Sequence, residues 1–190
     1  MKKLPVIMLA AAVATLFSGC AVSSEPQPTQ DLAVYSIYYH AEGGELSPYN
    51  PGAYNSLTPS FTLKEPTREG YRFLGWSKSA DLGSPVLSVT VPKGTTGNLD
   101  FYAVWAQLYT VRIDSATPEF FTIEYVTGPV IYGETAIVHI STAKPVGGLQ
   151  WYSIGSTQYP ESCVYDESLG AFVVSFTLTK NITVMVMAVL

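Results

Sequence analysis

Apolar and polar residues alternate with a period of two over several stretches of this chain. Tyr109, Val111 and Ile113 interleave with Thr110, Arg112 and Asp114, and Phe172, Val174, Phe176 and Leu178 repeat the pattern. Such a period sends successive side chains to opposite faces of an extended strand, one face buried and one wet. Gly and Pro recur too often for a convincing amphipathic helix, and the uninterrupted stretches are rich in Val, Ile, Thr, Tyr and Phe, the residues that suit a pleated sheet. A first group of strands is predicted at Val34–His40, Ser60–Leu63, Tyr71–Trp76, Val86–Val91 and Leu99–Ala106. A second group follows at Tyr109–Asp114, Phe120–Val126, Thr135–Thr142, Leu149–Ile154, Ala171–Thr177 and Ile182–Val189. Between Pro48 and Thr58, Pro51 and Gly52 leave a loop with at most one helical turn.

The first 32 residues follow other rules. Lys2 and Lys3 precede an uncharged apolar run from Leu4 to Phe17, then Ser18 and Gly19 stand before Cys20. That is the order of a secretory leader, and its apolar core is too short to span a bilayer stably. Leu16-Phe17-Ser18-Gly19-Cys20 resembles a bacterial lipoprotein cleavage box, although Leu stands four residues before the Cys where three is favoured. The resemblance implies a signal peptide over residues 1–19 and a lipidated Cys20 carrying acyl chains such as palmitate. Ala21 is not the Asp that favours inner-membrane retention, so a cell-envelope protein of the outer membrane is expected. Ordinary secretion with cleavage elsewhere is the alternative. From Ala21 to Leu32 the sequence AVSSEPQPTQDL has no periodicity and reads as a tether. Fully extended, it reaches about 40 Å.

Without the leader, 171 of the 190 residues remain, enough for one medium domain or two small ones. The charged fraction of 13% is low for a soluble domain, and the net charge is −5. Losing Lys2 and Lys3 leaves eight basic against fifteen acidic residues, a net of −7. Such a chain repels phosphate backbones, so nucleic acid is not an expected partner. An apolar fraction of 47% excludes wholesale disorder.

Candidate chemistry is sparse. If Cys20 is acylated, Cys163 stands alone and no intramolecular disulfide can form. No His or basic residue flanks it to lower a thiol pKa, so it is expected to be a small buried or half-buried hydrophobe. His40 and His139 each occupy a predicted strand without a second ligand nearby, and Glu42, Glu45, Asp166 and Glu167 lie in turns as solvated charges. Gly43-Gly44 and Gly147-Gly148 lack the lysine and the strand-to-helix setting of a phosphate loop, and Asp-x-Asp calcium spacing is absent. No catalytic residue, metal or cofactor is therefore expected.

One stretch carries a specific resemblance. Tyr35-Ser-Ile-Tyr-Tyr-His leads to Gly43-Gly44. Pro66-Thr-Arg-Glu-Gly70-Tyr71-Arg-Phe73-Leu-Gly75-Trp76 follows, then Pro92-Lys-Gly94-Thr-Thr-Gly97-Asn-Leu99 and a closing Phe101-Tyr102-Ala103-Val-Trp105. These residues resemble the Listeria–Bacteroides repeat, also called the internalin B-repeat. His40 stands where a polar Asp or Asn is frequent, and Phe101 where Leu is usual. The resemblance implies a β-grasp-like fold and a spacer or adhesion role on bacterial surfaces, without catalytic residues. On the residues themselves, Tyr71 and Phe73 share a strand face, and a bulge near Gly75 would turn Trp76 to join them. Together with Ala103 and Trp105 these form the expected core. Tyr38, Tyr39, Tyr49 and Tyr54 are tentative ligand contacts, because their segment is a Pro- and Gly-rich loop with its flanking strand.

The second half carries a fainter echo. Tyr35-Ser-Ile and Tyr109-Thr-Val stand 74 residues apart, Trp76 lies 41 residues after the first Tyr and Trp151 lies 42 after the second. Tyr102-Ala103-Val104 and Met187-Ala188-Val189 both close on an Ala between larger residues. A degenerate second copy is the favoured reading and an immunoglobulin-like sandwich the alternative. The expected fold is mostly β, with a β-grasp-like repeat domain over residues 33–106, a short connection at Ala106–Leu108 and a second small β domain over 107–190. The expected function is a non-enzymatic, lipid-anchored envelope module for adhesion, interaction or spacing. A carbohydrate-binding surface lipoprotein is its rival, and the protein or glycan partner is left open.

Overall fold

The computed structural model describes residues 32–154 and 158–189, so the expected leader, the expected lipidation site Cys20 and the expected tether as far as Asp31 lie outside the described residues. Among the described residues, fourteen strands follow one another, with a single short 3-10 turn at Pro118–Phe120, and the fold is mostly β. Among the described residues, no helix is long and apolar enough to cross a membrane.

The first lobe holds β1 (Tyr35–His40), β2 (Ala53–Tyr54), β3 (Phe61–Thr62), β4 (Tyr71–Ser77), β5 (Thr90–Val91) and β6 (Leu99–Tyr109). Its sheet runs in the order β2-β1-β6-β4, with β1 and β6 parallel at the centre and both outer pairs antiparallel. A parallel pair between the first and last strands requires a long crossover. Residues 41–98 supply it as loops, β2, β4 and the small β3–β5 pair.

Alternation decides which side chains fill the core. On β6, Phe101 and Ala103 are buried and Trp105 packs beside them, while Asp100, Tyr102 and Val104 face away. The β4 ladder slips between Phe73 and Gly75, and after that bulge Trp76 lies opposite Ala103 with 1% of its surface exposed. Gly75 has φ 140°, and a Cβ there would lie 2.7 Å from the carbonyl carbon of Val86. Val86 comes so close because it exchanges two backbone hydrogen bonds with Trp76. Phe73 and Trp105 stand edge to face at 5.4 Å, as do Phe73 and Trp76. Tyr71 departs from the expected core. It is half-buried at the end of the ladder, opposite Gln107, with the Arg68 guanidinium 3.7 Å above its ring.

The second lobe holds β7 (Val111–Ser115), β8 (Phe121–Tyr125), β9 (Val130–Ile131), β10 (Thr135–Thr142), β11 (Gly148–Ser153), β12 (Ser162–Asp166), β13 (Ala171–Thr177) and β14 (Ile182–Val189). A sheet ordered β12-β13-β10-β8 and a second ordered β11-β14-β7 share one aliphatic core of Val, Ile, Leu and Ala around Phe176. The first sheet has the outer-to-outer order of an immunoglobulin constant-type sheet, and β11 and β14 occupy two places of its partner sheet. The remaining place is taken by β7, which comes first in the chain and runs parallel to β14.

The registers of the two lobes also coincide. In the first, Ile37 lies opposite Leu99, Trp76 lies opposite Ala103, and the Ser36 N–H donates to Asn98 Oδ1 at 2.9 Å. In the second, Val111 lies opposite Ile182, Trp151 lies opposite Val186, and the Thr110 N–H donates to Asn181 Oδ1 at 2.8 Å. Each lobe thus places its opening strand, closing strand and tryptophan strand side by side, with an Asn just before the closing strand.

The connection expected at Ala106–Leu108 does not exist as a loop. β6 runs through it to Tyr109, and β7 begins after the single residue Thr110. Pairing prolongs the strand: Tyr71 and Arg72 of β4 face Gln107 and Ala106, and β9 from the second half pairs with Leu108 and Tyr109. The continuation was hidden because both ladder partners of this stretch are remote in sequence.

Candidate functional site

The outward face of the β1–β6 pair gathers the first lobe's polar and aromatic chemistry. Tyr38 and His40 alternate away from the core on β1, and the parallel register sets them beside Asp100 and Tyr102. His40 Nε2 lies 3.0 Å from Asp100 Oδ1, and its ring stacks on Tyr102 with centroids 4.1 Å apart and planes 6° from parallel. Both members of the His–Asp pair are well exposed, at 39% and 47%. An ion pair so open to water contributes little. The arrangement presents an exposed imidazole stacked on a tyrosine ring, with a carboxylate at its edge. Nothing local in the sequence pairs residue 40 with residue 100, so the partnership of His40 shows only in the fold.

The four tentative contact tyrosines do not converge. Tyr38 is 50% exposed and Tyr49, on the loop, is 83% exposed. Tyr39 points inward, 5.7 Å from Trp76 and 6.2 Å from Phe101, and its hydroxyl donates to the Pro51 carbonyl at 3.0 Å. Burial pushes its pKa up to about 12. Tyr54 is 4% exposed, and its hydroxyl donates to the Gly97 carbonyl. Burial, then the neighbouring Tyr35, raises its pKa. Tyr39 and Tyr54 are therefore core residues, corrected from ligand contacts. Strand alternation turns Tyr39 inward, and β2 pairs Tyr54 with Tyr35 against the same core.

Trp105 closes the β1 end of this lobe. Its indole N–H donates to the Ala41 carbonyl at 2.9 Å, and the ring lies so near Gly44 that a Cβ there would stand 2.5 Å from Trp105 Cζ2.

In the second lobe, Cys163 is exposed, against the expectation of burial. It lies on β12, an outer strand paired only with β13, and four of the five β12 residues are exposed. His139 is 4.0 Å from Glu124, its cross-strand partner on β8. A cleft of about 160 Å³ is lined by Val111, Pro129, Ala136, two threonines and Tyr125. The Tyr125 hydroxyl is engaged there, accepting the Ile113 N–H at 2.9 Å. Among the described residues, no three His, Cys, Asp or Glu side chains gather where they could hold a metal ion.

Residues 35–104 match the family model of the Listeria-Bacteroides repeat domain. The matched segment runs from the first residue of β1 into β6 and contains the aromatic core of the first lobe. No curated protein and no solved structure is significantly similar to the chain.

Proposed function

We propose that this chain, whose residues 35–104 form a Listeria–Bacteroides repeat domain, is a non-enzymatic, lipid-anchored bacterial envelope protein that holds an interaction or spacer module away from the lipid surface. The observation that carries the reading is β6, which runs from the core of the first lobe to the start of the second without a flexible connection. A spacer needs a fixed reach, and a continuous paired strand supplies one. Arg72 on β4 adds a fastening, donating from Nη1 to both carboxylate oxygens of Glu134 at 2.8 and 2.9 Å. The anchoring half of the proposal stands on the Leu16–Cys20 box and the tether that follows it. Replacing Cys20 by Ser should move the protein from the membrane to the soluble fraction of lysed cells. Retention of Cys20→Ser in the membrane pellet would defeat the anchor.

A glycan-binding reading draws support from the open Tyr38 and Tyr49 and from the stacked His40–Tyr102 pair, since flat rings are good partners for sugar faces. Tyr38→Ala combined with Tyr49→Ala should then abolish glycan-array binding. Silence of the unmodified protein across a broad array would remove this reading.

A further inference from the structure

We propose that the chain is a tension-bearing strut, in which load applied along its length must shear two parallel-strand ladders in series. The inference rests on the spacer reading for its use in the cell, and on topology for its mechanics. In the first lobe the opening strand β1 and the closing strand β6 are parallel neighbours, in register from Ile37–Leu99 to His40–Tyr102. In the second, β7 and β14 are parallel neighbours, in register from Val111–Ile182 to Val186–Ser115.

The direction of load follows from this arrangement. Tension pulls β1 backward from its N-terminal end and β6 forward from its C-terminal end. Because the two strands point the same way, they are drawn past each other along their axes. Every bond between them is then loaded at once. Antiparallel strands pulled apart from one shared end would instead open one bond at a time. From β6 the chain carries the load through Thr110 into β7, beside the β9 pairing of Leu108 and Tyr109, and the same geometry is met again.

A second observation sits at the point where each ladder starts. Asn98 Oδ1 accepts the Ser36 N–H, and Asn181 Oδ1 accepts the Thr110 N–H. The Thr110 carbonyl also accepts the Ile182 N–H at 3.0 Å. Each Asn precedes a closing strand and grips the residue that precedes the paired opening segment, so each lies on the route by which force enters. The tight joint at Thr110 leaves no slack between the two ladders.

Force spectroscopy on the purified chain tests this. With handles fused at both ends, each ladder's failure should release about 250 Å of chain at roughly 3.3–3.6 Å per residue. Forced unfolding reports the barrier to unfolding rather than the equilibrium stability, so the two pulling geometries are compared within one fold. A second attachment uses T135C and T177C in a C20S, C163S background. Thr135 and Thr177 lie opposite each other in the antiparallel β10–β13 ladder, and pulling there opens it from one end. The expected end-to-end force is severalfold higher than the force across β10–β13. Asn98→Ala should lower one end-to-end event and Asn181→Ala the other, with the β10–β13 force unchanged in both. End-to-end force no higher than the transverse force overturns the strut. Release of Cys20→Ser from membranes is a separate measurement, so loss of the anchor and loss of the strut are told apart.

Discussion

The two lobes close their cores with different side chains. In the first, the buried set includes Tyr54, Trp76 and Phe101, and five more aromatic residues pack against it: Tyr35, Tyr39, Phe61, Phe73 and Trp105. In the second, Phe176 is the one aromatic residue in a buried set otherwise built from Val, Ile, Leu and Ala, and four aromatic residues pack against it from partly buried positions: Tyr109, Phe121, Trp151 and Phe172. The reason is the number of layers. The second lobe has two sheets around one core, and β-branched side chains from both faces interdigitate across the roughly 10 Å between packed sheets. The first has one principal sheet, covered by loops and the two-residue strands β3 and β5. Large rings, each burying on the order of 150–250 Å², replace the missing facing sheet. A few residues therefore carry most of the first core, and many small ones share the second.

The largest expected effect tests that contrast directly. Trp76→Ala removes a ring that touches Tyr39, Phe73 and Phe101 and should cost about 3–5 kcal/mol, a large part of a domain's typical stability of about 5–15 kcal/mol. Val186→Ala, at an equally buried position of the second lobe, should cost about 2 kcal/mol. Chemical denaturation of the two variants, followed separately by fluorescence and by circular dichroism, gives the comparison. Equal losses would show that the first core is no more concentrated than the second.

Next in size is the bulge of β4, which has no counterpart in the β11–β14 ladder. Gly75→Ala forces a side chain onto a φ of 140° and against the Val86 backbone, and should cost about 1–3 kcal/mol. Gln150 holds the same place relative to Trp151, is exposed and lies in an unbroken ladder. Gln150→Ala should stay within about 0.5 kcal/mol of the unmodified chain. Asn98→Ala and Asn181→Ala sharpen the comparison from the other side, because here the lobes are alike. Each variant should lose about 1 kcal/mol. A loss in one lobe alone would break the equivalence of the two ladder starts.

What the sequence made legible follows the same division. The expected strands at 135–142, 171–177 and 182–189 coincide with β10, β13 and β14, since one face of each is buried and the period shows. β12 escaped because four of its five residues are exposed, so no alternation marks it. The two-residue strands β2 and β9 are too short to hold a period at all. The inward turn of Trp76 after Gly75 was readable from the Gly-Trp pair, whereas the burial of Tyr39 and Tyr54 was masked by their Pro- and Gly-rich neighbourhood. The His40–Asp100 pair and the two Asn contacts depend on parallel register, which links residues about 60 to 70 positions apart and leaves no local trace.

The smallest expected effect concerns the fastening between the lobes and depends on pH. Glu134 Oε2 accepts the Ile131 N–H at 3.1 Å as well as an Arg72 bond, while its main-chain carbonyl accepts the Leu178 N–H. The Arg72 guanidinium, and next the Ile131 N–H, hold the Glu134 carboxyl below its ordinary pKa. The folded state therefore favours the ionised form more than the unfolded chain does, so the stabilisation is complete above the unfolded value of roughly 4.3. It fades as pH falls through the lower folded value, where the folded carboxylate takes up its proton. Both side chains are 41% exposed, so water and salt screen the pair and the effect is modest. Glu134→Gln should melt slightly below the unmodified protein at neutral pH, and the two curves should converge under acid conditions. Added salt should narrow the neutral-pH gap in the same way. A gap that stays constant across the acid range would show that the loss on substitution does not come from the carboxylate's charge, and that this charge contributes nothing to the junction.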